Sequence, residues 1–280
     1  MRSAASGAAL VSQGLFTALF PSDCRLCSTP LTNISRLPVC QRCLLAMVPL
    51  AAPTCEICGE RLSANHSASA NQICPACQEA RPRFVKAVAY GAYDGGLRDL
   101  IHLLKYEQVA PAASVLGQML AEAIQKLDPI ADSILLVPVP LHLSKRRQRG
   151  FNQAELIARA AFKITGLPTA KLATDVLERT RPTVSQIGLT RPQRVENMRG
   201  AFRVRHLNKV AGRAVLLIDD VLTTGTTASE CARILLKAGA EKVWIATVAR
   251  TLKESGFESG RFRPEGAELG QALIKTAKAS

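Results

Sequence analysis

The stretch that most restricts the fold is residues 215–229, VLLIDDVLTTGTTAS. Val215, Leu216, Leu217 and Ile218 form a short continuous apolar run with β-branched members, which predicts a strand buried on both faces. Asp219 and Asp220 stand at its C-terminal end. Thr223-Thr224-Gly225-Thr226-Thr227 must then turn sharply, and Gly225 supplies a residue that tolerates positive φ. Thr227 and Glu230 have capping-box spacing, so a helix is expected over 228–238.

A tight loop with several N–H groups leading into the positive end of a helix suits a phosphate. Two carboxylates beside it can accept hydrogen bonds from vicinal hydroxyls. Together these features point to a ribose 5-phosphate as ligand.

Charge narrows the partners further. The 280-residue chain has a net charge of +14, and residues 141–213 hold 16 Lys/Arg against 4 Asp/Glu, so +12 of the total lies in that one segment. A concentrated basic segment implies a polyanion: pyrophosphate, nucleic acid or both. Within it, residues 141–150 read LHLSKRRQRG. Lys145, Arg146, Arg147 and Arg149 with Gly150 make an anion-binding loop ahead of a helix expected over 153–165, capped by Asn152. Residues 179–200 contain five arginines, at 179, 181, 191, 194 and 199, and read as a structured loop or lid, or as a surface that tracks single-stranded nucleic acid. Aromatic residues are sparse there, with Phe151 and Phe202 flanking, so stacking platforms for bases are few.

Eight of the nine cysteines form four Cys-x-x-Cys pairs: Cys24/Cys27, Cys40/Cys43, Cys55/Cys58 and Cys74/Cys77. They supply ligands for two tetrahedral zinc sites with no open position, which support folding rather than catalysis. Sequential pairing gives two ribbons in a row; interleaved pairing is the alternative. Zinc thiolates imply a reducing compartment and hence the cytoplasm. His66 reads as a loop residue. The ninth, Cys231, reads as a small buried hydrophobe.

Strands are expected over 84–93, 133–140, 214–219 and 242–249, with Trp244 in the core, and helices near 97–106 (N-cap Asp94) and 113–127. Strands alternating with helices predict an open α/β sheet with its ligand at the strand C-termini. Residues 1–20 suit an amphipathic segment rather than a signal peptide. No apolar run approaches the ~20 residues that span a bilayer. The tail, 251–280, has little pattern and reads as partly disordered, with a short helix near 270–277.

The apolar strand, Asp219-Asp220 and Thr223-Thr224-Gly225-Thr226-Thr227 resemble the phosphoribosyl pyrophosphate (PRPP) motif of type I phosphoribosyltransferases. The wider series is more specific: the four Cys-x-x-Cys pairs, YDGGLRDLIHLLKY (93–106), VPVPLH (137–142), RGFNQAE (149–155), RPTVSQIGLTRPQRVENMRGAF (181–202) and that motif. Over roughly residues 15–250 it resembles the ComF family of bacterial competence proteins, whose relatives include GntX. The resemblance implies a double zinc ribbon at 21–80 and a type I phosphoribosyltransferase-like α/β domain at 84–250. It implies that Asp219 and Asp220 hold ribose hydroxyls and that Thr223, Thr224, Gly225, Thr226 and Thr227 hold the 5′-phosphate. Arg149 and Gly150, with Lys145, Arg146 and Arg147 nearby, fall on the pyrophosphate side, where Mg²⁺ accompanies PRPP. It also implies a role in DNA uptake beside other uptake proteins, handling single-stranded DNA. Two readings follow: a binding protein for PRPP or a DNA 5′-phosphate, or a transferase with an unknown acceptor. The residues name no general base for the second.

Overall fold

In a computed structural model, the structure describes residues 22–31, 35–51, 53–62, 72–127, 133–166, 169–183 and 190–252. The segment expected at 1–20, His66 and the tail beyond 252 lie outside the described residues. The chain divides into two compact units, one containing the cysteines through Cys43 and the other spanning Met47–Lys253.

Each half of the cysteine-rich region is built to one plan. In the first, Asp23 bridges Pro30, the Cys24 N–H donates to Thr29 O at 2.9 Å, and Ser28 turns the chain at φ 58°. A short helix α1 (Gln41–Leu45) follows Cys40. In the second, Thr54 bridges Arg61, the Cys55 N–H donates to Glu60 O at 2.7 Å, and Gly59 turns at φ 68°. Helix α2 (Pro75–Glu79) then follows Cys74. The left-handed turn between Cys-x-x-Cys and the returning strand is therefore common to both. Only the second half meets it with glycine, the residue without a Cβ penalty.

The larger unit continues with β1 (Ala87–Ala92), α3 (Gly95–Tyr106), α4 (Ala112–Ile124), β2 (Ile134–Pro138), α5 (Leu143–Arg149), α6 (Gln153–Thr165) and β3 (Lys171–Leu172). Then come β4 (Leu177–Arg179), α7 (Arg191–Met198), β5 (Phe202–Val204), β6 (Ala214–Leu222), α8 (Thr226–Lys237) and β7 (Lys242–Arg250). Five strands make one parallel sheet in the order β1-β7-β6-β2-β3, while β4 and β5 form a separate antiparallel pair. From β2 the chain moves outward to β3, and from β6 it moves the other way to β7. The crevice between β2 and β6 is thus the switch point where such sheets bind ligands, at the strand C-termini.

Val215, Leu216, Leu217 and Ile218 are all fully buried, as a strand covered on both faces requires. The α3 stripe of Leu97, Leu100, Ile101, Leu103 and Leu104 is core, and so is Trp244. Helix α6 has the expected bounds, and the Asn152 side chain caps it by accepting from the Ala154 N–H at 3.2 Å.

Four expectations change. Strand β1 begins three residues later than 84. Strand β6 runs on to Leu222, three residues past the expected 219, so Asp220 as well as Asp219 lies within it, and Asp219 pairs with Thr247 of β7. Residues 143–149 are helix, not loop: Lys, Arg and Gln favour helix, the His142 ring accepts from the Ser144 N–H, and Gly150 ends the helix at φ 79°. Helix α8 starts at Thr226 behind Gly225, without the capping box. The Glu230 carboxylate instead accepts from the Gly200 N–H at 2.9 Å and from Arg233 at 2.8 Å.

The helix pair α4/α6 leaves no room at Gly117. A Cβ there would lie 2.4 Å from Ala160 Cβ and 2.9 Å from the Ala161 nitrogen. Gly117→Ala is expected to cost about 1–3 kcal/mol through overpacking, read as a lowered midpoint in urea.

Candidate functional site

Strand β2 makes its last pairing to β6 at Pro138–Ile218, whereas β6 continues to Leu222. Beyond Ile218 the β2 side of β6 is open, and a cavity of about 220 Å³ occupies it. Its walls include Asp219 and Asp220 of β6, Thr227 of α8, Lys145 and Arg149 of α5, Lys105 of α3, Gln153 of α6, Arg179 at the end of β4 and Thr183 beyond it. A smaller recess against Thr223, Gly225 and Ala228 backs the loop.

The geometry separates the candidates. Helix periodicity puts Lys145 and Arg149, four apart, on the cavity side of α5. Arg146 and Arg147 are exposed and do not line the cavity, and neither does Gly150. In the loop, Thr223 and Thr224 are exposed, and the Thr224 and Thr226 hydroxyls pair at 3.0 Å. Gly225 takes φ 74° as the N-cap of α8, so the first-turn N–H groups of that helix have no intrahelical acceptors and form a site for an anion.

Lys105 is the residue missed by reading the sequence. Its ammonium lies 3.0 Å from Asp220 Oδ1, with the side chains 13% and 6% exposed. Burial opposes its charge, but Asp220 and Asp219 outweigh burial and hold it above its ordinary value. The other Asp220 oxygen, Oδ2, is buried with no hydrogen-bond partner among the described residues. Burial first, and then the adjacent Asp220 charge, push Asp219 up to about 7. Across the cavity, burial and then Arg179, Arg149 and Lys105 hold Lys145 below its ordinary value. Four cations thus converge on one cavity that already contains two acids. An orphaned carboxylate oxygen and an excess of positive charge fit a ligand that brings hydroxyls, a hard cation and phosphate together.

The arginines of 179–200 are more committed than expected. Arg179 packs over the Phe202 ring at 5.5 Å and bonds Thr183. Arg181 donates to the carbonyls of Asn197 at 3.0 Å and Arg199 at 2.7 Å. Cys231 is fully buried, and burial raises its thiol well above the usual value, which makes it inert packing.

The eight remaining cysteines pair sequentially. Cys24, Cys27, Cys40 and Cys43 form one cluster and Cys55, Cys58, Cys74 and Cys77 the other, each with its sulfurs within 4.8 Å of one another. Cys27–Cys40, Cys58–Cys74 and Cys24–Cys43 lie 3.6, 3.6 and 3.9 Å apart. A tetrahedron with Zn–S of about 2.3 Å sets sulfurs about 3.8 Å apart, so the donor sets fit zinc. The Cys40 and Cys74 N–H groups each donate to a ligand sulfur, Cys24 Sγ and Cys55 Sγ, at 3.3 Å. Closed four-thiolate sets are structural sites.

A parallel sheet with this switch-point cavity, preceded by two four-cysteine clusters, is a type I phosphoribosyltransferase-like fold with an N-terminal zinc-ribbon module. Family models agree: residues 148–261 match the phosphoribosyl transferase domain and residues 15–82 the double zinc ribbon domain. The chain is 31% identical over 235 residues to the DNA utilization protein YhgH of Escherichia coli K12, covering 83% of this chain and 98% of the relative. It is 29% identical to competence protein F of Haemophilus influenzae, over 71% of this chain and 85% of that one. To competence protein ComFC of Bacillus subtilis it is 23% identical, over 72% and 79%. The chain belongs to the ComF/GntX family. No helix among the described residues is long and apolar enough to cross a membrane.

Proposed function

We propose that the cavity binds the phosphoribosyl group of PRPP, and that the protein serves DNA uptake by handling single-stranded DNA in the cytoplasm. The carrying observation is the convergence of Lys105, Lys145, Arg149 and Arg179 on the cavity walled by Asp219 and Asp220. In this reading the loop 223–227 and the start of α8 hold the 5′-phosphate, the paired aspartates take the ribose hydroxyls, and Lys145 and Arg149 face the pyrophosphate. Mg²⁺ bound with PRPP would be held by oxygen ligands, for which Asp220 Oδ2 is available, and would neutralise pyrophosphate charge. The DNA role is supported by the names of the relatives and by the basic segment 141–213.

Calorimetry with PRPP and Mg²⁺ tests the cavity. Arg149→Ala and Asp220→Asn are each expected to weaken binding about tenfold or more, the loss of one charged hydrogen bond. Wild-type protein that takes up neither PRPP nor ribose 5-phosphate would refute the reading. A second reading, a working transferase that releases pyrophosphate to an acceptor, is favoured by Asp219. Its carboxylate lines the cavity, where a reacting group would meet it. Pyrophosphate release from PRPP across a panel of acceptors, lost in Asp219→Asn while PRPP binding is retained, would establish it.

A further inference from the structure

We propose that the outward face of α5, together with Tyr106 at the end of α3, is the surface on which this protein holds single-stranded DNA. The inference rests on the DNA-handling reading above and gives it a location. Four of the seven residues of α5 are cations and none is acidic. At about 100° per residue, Arg147 turns away from the face that carries Lys145 and Arg149 into the cavity, while Arg146, three residues before Arg149, lies at the edge of that face. Both are exposed, and among the described residues neither has an acidic partner.

The arginine-rich segment that follows is differently disposed. Arg181 is tied to two backbone carbonyls, Arg199 lies 3.7 Å from Glu196, and Arg203 bonds Glu178 at 2.8 Å. Cations that already have local acceptors gain less from a polyanion than cations that face water alone. Phosphates are therefore expected to meet α5 first.

A base needs a flat partner, and the fold supplies one. Tyr106 is 65% exposed. Its ring is braced edge-on by His102 at 5.1 Å, and the His102 Nε2 pairs with the Tyr93 hydroxyl at 2.9 Å. The Arg149 guanidinium lies over one face of the Tyr106 ring, 5.2 Å from its centroid, which leaves the opposite face for a base. An exposed aromatic ring, braced at its edge and backed by an arginine on one face, is an element on which an unpaired base stacks. Arg149 joins the two functions, since it also lines the cavity and bonds Gln153 at 2.9 Å. A strand lying on Arg146 and Arg147 with a base at Tyr106 would thus run past the cavity mouth. A bilayer is the poorer partner, because Leu143, 58% exposed, is the one large apolar side chain α5 offers to solvent.

The test uses full-length, zinc-loaded protein and a fluorescent oligothymidylate, with anisotropy followed across a salt series. The double change Arg146→Ala/Arg147→Ala should weaken binding about tenfold at low salt and flatten the log–log salt slope by about 1.4, or 0.7 for each lost phosphate contact. Tyr106→Ala should weaken it about fivefold or more with the slope unchanged, and Tyr106→Phe should restore it. Ribose 5-phosphate affinity and thermal midpoint should stay at wild-type values in the Arg146/Arg147 variant. Wild-type DNA affinity in that variant, with loss appearing only in Arg181→Ala or Arg194→Ala, would overturn the proposal. So would equal binding of duplex and single strand with no effect of Tyr106→Ala, or loss seen only on anionic phospholipid vesicles. A wild-type protein that binds PRPP but no single-stranded DNA would remove this surface and the DNA role while leaving the cavity reading intact.

Discussion

Lys105→Met should lower the free energy of unfolding by about 3 kcal/mol or more, the usual result of stranding one member of a buried ion pair. The pair is 3.0 Å apart, and both side chains are nearly out of solvent. Without the ammonium, the Asp220 carboxylate keeps one oxygen with no partner and loses the partner of the other. The adjoining Asp219 then faces that charge with less compensation. Changing Asp220 to Asn in the Lys105→Met background should recover most of the loss, since it removes the stranded charge. Urea unfolding of the two single variants and the double measures the coupling. A Lys105→Met protein within about 0.5 kcal/mol of wild type, the range of an ordinary surface substitution, would mean that the pair contributes little.

The second large effect concerns the two metal clusters, which should not be equivalent. Cys58→Ser is expected to abolish folding of the unit that carries the cavity, whereas Cys27→Ser should cost one zinc and leave ribose 5-phosphate binding in place. The reason lies in what surrounds each sulfur set. All four cysteines of the second cluster are buried, and they belong to one apolar core with Phe84, Ala87, Val215, Leu217 and Ala228. Ile57 O accepts from the Ala87 N–H at 2.7 Å at the start of β1. Arg250, the last residue of β7, reaches Cys58 Sγ at 3.5 Å and Glu60 at 3.0 Å from a site only 5% exposed. A structural zinc is worth about 10–16 kcal/mol of apparent binding energy in small domains, which exceeds the stability of most folds. In the first cluster, Cys27 and Cys40 are only partly buried. Zinc counted after denaturation, circular dichroism and ligand titration on both variants make the comparison. A Cys58→Ser protein that melts and binds like wild type would refute it.

Local features were legible in the sequence where local chemistry decides structure. The apolar run 215–218, the Asn152-capped helix over 153–165, the α3 stripe and the eight paired cysteines each carry their own signal, and each stands as expected. What sequence hid depends on partners far away along the chain. Lys105 looks like an ordinary helix-terminal lysine until the fold brings it to Asp220. Glu230 has the spacing to cap its own helix, but the Gly200 N–H and Arg233 claim its carboxylate. The run KRRQR reads as an anion-binding loop between a strand and Gly150, yet each residue favours helix and His142 and Gly150 supply the two ends. Helix formation then splits the cations into two faces, a division that composition alone cannot express.

The shared core of the second ribbon and the sheet also bears on how such a chain could be remodelled. Counting cysteines puts the natural joint near residue 80, between a cysteine-rich half and a phosphoribosyltransferase-like half. The packing places it near Ala46. A descendant could discard or exchange the first ribbon as a cassette. The second would have to be inherited with the sheet, because removing it would strip the wall from β1 and leave Arg250 charged and unpaired at the end of β7.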